Sequence, residues 1–154
     1  MQSKVSFSEF PKGGELMTKH REIAYALLRL TLGIVFLFAG IGKFMGGLGH
    51  FVGTMNQQFS GKLSAAIVMP FAYVLPFGEV TVGALIVLGL FTRVGLTLSG
   101  LLLIGLTFGT VMLGDFPTVA HNVQYGLVNF VLLWLADLDR FSIDHMRTRG
   151  VSTA

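Results

Sequence analysis

The chain has 154 residues, of which 53% are hydrophobic and only 12% are charged, and its mean hydropathy is +0.72. Soluble domains of this size carry about twice that share of charge, so the composition excludes a water-soluble domain and indicates an integral membrane protein. The absence of cysteine excludes disulfides, a thiolate nucleophile and Cys-ligated metal or iron–sulfur centres. The net charge of +3 is explained by membrane orientation and does not point to nucleic acid as a partner.

The N-terminal segment, residues 1–23, is polar and predicts a solvated cytoplasmic tail. Pro11 and the Gly13-Gly14 pair oppose a long folded element there, because both residue types disfavour helix. A brief amphipathic helix that lies on the membrane from about Glu15 is the alternative.

The first membrane-spanning helix is predicted at about residues 24–43, an apolar stretch with a cation near each end. Steps of three and four residues place five side chains on one helix face: Arg29, Gly33, Phe36, Gly40 and Lys43. The glycines allow another helix to approach closely. For the two cations, anchoring at the membrane interface is the alternative to a functional role.

A glycine-rich stretch follows at residues 44–66 and predicts an external loop. The weakly amphipathic pattern around residues 51–59 predicts a short interfacial helix within it. Such a loop acts either as a lid over a cavity or as an anchor in the headgroup layer.

The second span, about residues 67–91, has a single charge, Glu79, near its centre. A carboxylate in the hydrocarbon core is costly unless it is paired, protonated or hydrated, so Glu79 is the first candidate for a functional residue. A purely structural ion pair is the alternative. Pro70 and Pro76 predict a kink or a late helix start before Glu79. Five residues share the face of the carboxylate: Ala72, Pro76, Glu79, Gly83 and Ile86.

The third span, about residues 94–114, carries no charge and is predicted to be a structural helix. The fourth span, about residues 119–136, is the least apolar of the four. Three hydrogen-bonding side chains share one of its faces, with His121 at the border: Asn122, Tyr125 and Asn129. Such a row belongs inside a helix bundle. Residues 141–154 form a charged cytoplasmic tail.

Basic residues near the span ends predict the orientation of the chain. Eight lie on the side of the termini and two on the other side: Lys4, Lys12, Lys19, Arg21, Arg93, Arg140, Arg147 and Arg149 against Lys43 and Lys62. The fold predicted is therefore an all-α, integral membrane four-helix bundle with both termini in the cytoplasm. Four polar residues then lie at similar depths: Lys43, Glu79, His121 and Asn122. Their convergence predicts a site that holds a polar ring or relays protons.

Arg29 is expected to meet an acid and not to hang in lipid, because an unpaired guanidinium at that depth is costly. The acids at the cytoplasmic end of the fourth span are Asp137 and Asp139. Asp137 is the first choice for the structural ion pair and Asp139 the second, with snorkelling into the headgroups as the alternative.

Two stretches, RLTLGIVFLFAGIGK from Arg29 and PFGEVTVGALIVLGLFTR from Pro76, resemble the DoxX/DoxD family of small four-helix membrane proteins. The resemblance extends over residues 24–140. It implies a four-helix bundle in the bacterial or archaeal cytoplasmic membrane. Because some members serve as a subunit of thiosulfate:quinone oxidoreductase, it also implies a link to quinone redox chemistry.

Three functions stay open. In the first, the chain is a quinone-linked oxidoreductase subunit or accessory protein in which Glu79 and His121 exchange protons. The residues expected to bind the quinone are Lys43, Glu79, His121, Asn122, Tyr125 and Asn129. Electrons would come from a soluble or membrane redox partner, since no haem, flavin or metal motif is visible. The alternatives are a non-catalytic scaffold subunit of a redox complex and a small proton-coupled transporter. Under each of the three functions, a homo-oligomer in the bilayer stays open.

Overall fold

The structure, a computed structural model, describes residues 13–144, with side chains from Leu16 onward, and the regular secondary structure in this part is helical. Five α-helices follow in order: α1 Gly13–Met45, α2 Leu48–Gln58, α3 Ala65–Leu88, α4 Thr92–Leu113 and α5 Phe116–Trp134. A short 3-10 turn, Ala136–Leu138, comes after α5. The predicted all-α class is confirmed for these residues.

Three helices are long and apolar enough to cross a membrane: Leu16–Met45, Ala65–Leu88 and Thr92–Leu113. The chain is therefore a multi-pass membrane protein. The 19 residues of α5 do not reach the same hydropathy, because they include His121, Asn122, Gln124 and Asn129. The fourth span thus stays a prediction.

α1 begins at Gly13, inside the segment that was expected to be a solvated tail. Its 33 residues extend about 50 Å at 1.5 Å per residue, well beyond a hydrocarbon core of about 30 Å. Residues 13–23 are therefore helical, against the expectation of no long folded element there, and the residues from Leu16 to Arg21 are exposed. Once the apolar part of a helix has nucleated, adding further turns is easy, and this outweighs the cost of the two glycines. Residues 1–12 lie outside the described part of the chain.

α3 runs without interruption through both of its prolines, so the predicted late start is wrong. The helix begins at Ala65, and the Ser64 side chain accepts a hydrogen bond from the backbone N–H of Ala66. Prolines are tolerated inside such a helix where neighbouring helices satisfy the freed backbone groups. The predicted loop does contain a short helix, α2.

The long helices form a ring in which α1 packs on α3, α3 on α4, α4 on α5, and α5 again on α1. The contact between α1 and α3 is the tightest. An added Cβ at Gly83 would lie 2.7 Å from the Cα of Leu37, and one at Gly40 would lie 2.8 Å from the Pro76 carbonyl oxygen. The close approach predicted from the glycine pattern is confirmed. α2 covers one end of the ring, here called the α2 end, and the opposite end is called the terminal end.

Arg29 is buried at the terminal end, against the segment that follows α5. Its Nε lies 3.4 Å from Oδ1 of Asp139, and its Nη2 donates to the Phe141 carbonyl oxygen at 2.9 Å. The predicted pairing with Asp137 is wrong, because that side chain is 86% exposed and pairs with Arg93 at the surface. α5 ends at Trp134 and is followed by a 3-10 turn, which is wound more tightly than an α-helix. The turn brings Asp139 inward and leaves Asp137 at the surface.

Candidate functional site

The centre of the candidate site is an ion pair between α1 and α3. The ammonium nitrogen of Lys43 lies 2.7 Å from Oε2 and 3.0 Å from Oε1 of Glu79, so it contacts both carboxylate oxygens. The Glu79 side chain is 3% exposed, whereas that of Lys43 is 22% exposed. The carboxylate is therefore shielded, and the ammonium is the member of the pair that a ligand can reach.

The local sequence accounts for this geometry. Lys43 lies in the last turn of α1, where a cation interacts favourably with the helix dipole, and its Nζ also donates to the Ala39 carbonyl oxygen at 3.2 Å. Gly40 lies one turn earlier and lets α3 come close enough for Glu79 to meet the amine. The Phe51 ring of α2 lies over the amine, 5.5 Å from nitrogen to ring centroid, which adds a cation–π contact.

A cavity of about 440 Å³ opens beside the ammonium, between α2, α3 and α4. This cavity, here called the α2 cavity, is mostly apolar. Its aromatic walls are formed by Phe51, Phe59, Phe71 and Phe108. Lys43 and Asp115 are the charged residues among its lining. Its volume lies within the range of about 300–1,000 Å³ that is typical of small-molecule sites.

Asp115 lies at the rim of the α2 cavity, just before α5. Its side chain accepts hydrogen bonds from both the hydroxyl and the backbone N–H of Thr118. The hydroxyl bond is the main reason that the pKa of Asp115 lies below its usual value, with the backbone N–H second. The rim of the cavity is thus negatively charged near neutral pH.

Two of the predicted ligand-binding residues lie in a different place, the seam between α4 and α5. Asn129 accepts a hydrogen bond from the Ser99 hydroxyl at 2.6 Å and donates to the Leu96 carbonyl oxygen at 3.1 Å. Asn122 donates to the Thr110 hydroxyl at 3.4 Å. Both side chains line an open groove of about 570 Å³ that does not include the ion pair.

The two remaining predicted residues are also apart from Glu79. Tyr125 is half-buried and packs against the apolar core, as expected for its face of α5. His121 is exposed and lies close enough to Asp115 to contribute to the lowered pKa of that carboxyl, so it lies towards the rim. Of the six residues expected to bind the quinone, Glu79 therefore meets Lys43 and not the other four, because α5, which carries those four, packs mainly on α4.

The apolar residues that line the α2 cavity were not recognised from the sequence as part of a site. Gly105 and Gly109 of α4 leave room for the rings of Phe71 and Phe59, at 3.4 Å from an added Cβ in each case. From the sequence, the helix that carries them was predicted to have a structural role only. The aromatic residues of the cavity come from separate elements, so no local pattern in the sequence brings them together: Phe51, Phe59, Phe71 and Phe108.

The chemistry of this arrangement is that of a binding site. Within residues 13–144, no group of three His, Cys, Asp or Glu side chains is placed to hold a metal ion. The ammonium supplies a charged hydrogen-bond donor, the phenylalanines supply apolar surface, and Glu79 balances the charge of Lys43. Such a combination can orient the polar head of a largely apolar molecule.

Comparison with known proteins corrects the resemblance inferred from the sequence. Residues 21–115 match the family described as methylamine utilisation protein MauE, and this segment is more than half of the chain. It contains both stretches that suggested the DoxX/DoxD family, so that assignment was wrong. Searches among curated proteins and among solved structures found no match. The chain belongs to the MauE family of methylamine utilisation proteins.

Proposed function

We propose that this chain is a membrane accessory protein of a methylamine-utilisation system, and that its working part is the Lys43–Glu79 pair with the α2 cavity. The single observation that carries the proposal is a shielded ion pair whose ammonium opens onto an apolar cavity. The family match supports it, because residues 21–115 include the pair and the whole cavity lining. Redox proteins of the same system are the expected partners.

A binding role is favoured over proton exchange or proton-coupled transport. Both oxygens of Glu79 accept hydrogen bonds from Lys43, and the side chain is only 3% exposed, so the carboxylate is occupied by its partner and shielded from water. His121, the second group expected to exchange protons, is exposed on α5. The quinone expected from the sequence is retained as a proposed ligand, and the α2 cavity is the place that suits it.

We also propose that α5 is a fourth span and that both termini are cytoplasmic. The hydrogen bonds of Asn122 and Asn129 to α4 support the first point, because they satisfy amides that would otherwise face the bilayer core. The basic-residue count supports the second. The chain has no cysteine, so Asn56→Cys and Thr148→Cys each introduce one label site. A membrane-impermeant thiol reagent added outside should label position 56 only, and labelling of position 148 only would reverse the topology.

Growth of the source organism tests the accessory role. A strain that lacks this chain should fail to grow with methylamine as nitrogen source and should grow normally with ammonium. The intact chain should restore growth, and the Lys43→Met variant should restore it poorly. Normal growth of the deletion strain on methylamine would contradict the proposal.

A further inference from the structure

We infer that the α2 cavity binds an uncharged amphiphile whose carbonyl-type oxygen accepts a hydrogen bond from Lys43. The inference rests on the proposed binding role of this site and names the class of its ligand. Two sources share this chemistry, a neutral lipid with an ester carbonyl and a quinone. An anionic lipid is excluded by the inference.

The charges around the cavity favour an uncharged head. Glu79 already neutralises Lys43 at 2.7 Å, and Asp115 adds a negative charge at the rim. An anionic head would therefore meet an ammonium that is already neutralised and a carboxylate at the rim, while Lys62, which donates to the Met112 carbonyl oxygen at 3.0 Å, lies outside the lining. If such a head took the ammonium away from Glu79, it would leave a carboxylate that is 3% exposed without its partner, which is strongly unfavourable.

The hydrogen bonds of the ammonium leave one donor that a neutral acceptor can use. An ammonium has three N–H groups, and those of Lys43 point to two oxygens of Glu79 and to the Ala39 carbonyl oxygen. Ala39 is four residues before Lys43 in α1, so its carbonyl also accepts the helical backbone bond. The ammonium N–H of Lys43 that points to the Ala39 carbonyl oxygen can therefore turn to a ligand carbonyl, while the other two keep the ion pair with Glu79 intact.

The shape of the cavity suits an apolar chain or ring. Phenylalanine rings from α2, α3 and α4 surround it, and the two glycines of α4 keep that wall flat. A Cβ at Gly109 would lie 3.4 Å from the Phe59 ring, an ordinary contact, so larger side chains at this position extend into the cavity. By contrast, Gly42 of α1 is exposed and has nothing within 4 Å of an added Cβ.

The test uses a matched pair of probes, monolaurin and laurate, which share a twelve-carbon chain but differ in head charge, and decylubiquinone as the quinone. The full chain is melted in nanodiscs with each probe. Monolaurin, decylubiquinone or both should raise the melting temperature by several degrees, and laurate should not. A shift with only one of the neutral probes identifies the lipid or the quinone as the source.

Two cavity-filling variants and one control locate the binding. Gly109→Leu and Leu63→Trp fill the cavity from different sides and should abolish the shift, so that failure of one variant to fold leaves the other as a test. Gly42→Leu adds the same bulk in open space and should keep the shift. A shift with laurate as large as with monolaurin, a full shift in both folded filling variants, or no shift with any probe would overturn the inference. These melting results are independent of growth on methylamine, so the ligand of the cavity and the accessory role can fail separately.

Discussion

Separating Lys43 from Glu79 should destabilise the protein unequally, depending on which partner is removed. Lys43→Met leaves the carboxylate of Glu79, which is 3% exposed in the intact protein, without its counter-ion. Leaving a buried charge unpaired lowers the free energy of unfolding by about 3–5 kcal/mol. In Glu79→Gln the ammonium stays behind with 22% exposure, keeps contact with water and can still donate to the amide oxygen, so we expect a loss of about 1–3 kcal/mol. The double variant should recover at least about 1 kcal/mol relative to the sum of the two losses, because no unpaired charge remains.

The assay is the free energy of unfolding in mixed micelles for the intact chain, both single variants and the double variant. The cycle isolates the coupling between the two side chains. Losses below about 0.5 kcal/mol in both single variants, or strict additivity in the double variant, would show that the pair contributes nothing to stability. A larger loss for Glu79→Gln than for Lys43→Met would refute the argument from exposure.

Three further predictions concern other parts of the fold. Asp139→Asn should cost about 3–5 kcal/mol of unfolding free energy, because the buried guanidinium of Arg29 keeps its carbonyl acceptors but loses its counter-ion. Asp137→Asn at the exposed pair should cost less than about 0.5 kcal/mol, and equal losses would contradict the observed pairing. Gly83→Ala should cost about 1–3 kcal/mol in the same assay, because its Cβ meets backbone of α1; a neutral effect would mean that α1 and α3 are further apart. Thr118→Val should raise the pKa of Asp115 towards its usual value of about 3.9, measured by carboxyl NMR. Because the pKa of Asp115 is lowered in the folded protein, its contribution to stability is present above the unfolded pKa and is lost as the pH falls through the folded pKa. An unchanged pKa of Asp115 in the Thr118→Val variant would refute the role of the hydroxyl.

Helix periodicity was sufficient to predict which faces are buried. The glycines of α1 and the face of Glu79 were assigned to the bundle interior from steps of three and four residues, and Gly40, Gly83 and Ile86 do lie there. Lys43 and Glu79 were expected at similar depths, and a structural ion pair was the alternative role for Glu79; local sequence sets the helix face on which each of them lies.

Neighbour relations between distant segments could not be predicted in the same way. Equal depth suggested that Asn122 would meet Glu79, but depth does not determine which helices are adjacent, and α5 packs on α4. The partner of Arg29 depended on where α5 ends, because a short 3-10 turn brings Asp139 inward and leaves Asp137 outside. The α2 cavity depends on how α2 lies across α3 and α4, which no local pattern specifies.

Native mass spectrometry of the protein released from its own membrane tests the central claim most directly. The account predicts an adduct with an uncharged amphiphile on the intact chain and on Gly42→Leu, and no adduct on Gly109→Leu. An intact chain without adduct, or an anionic phospholipid retained equally by all three proteins, would contradict the claim that the α2 cavity is the functional site.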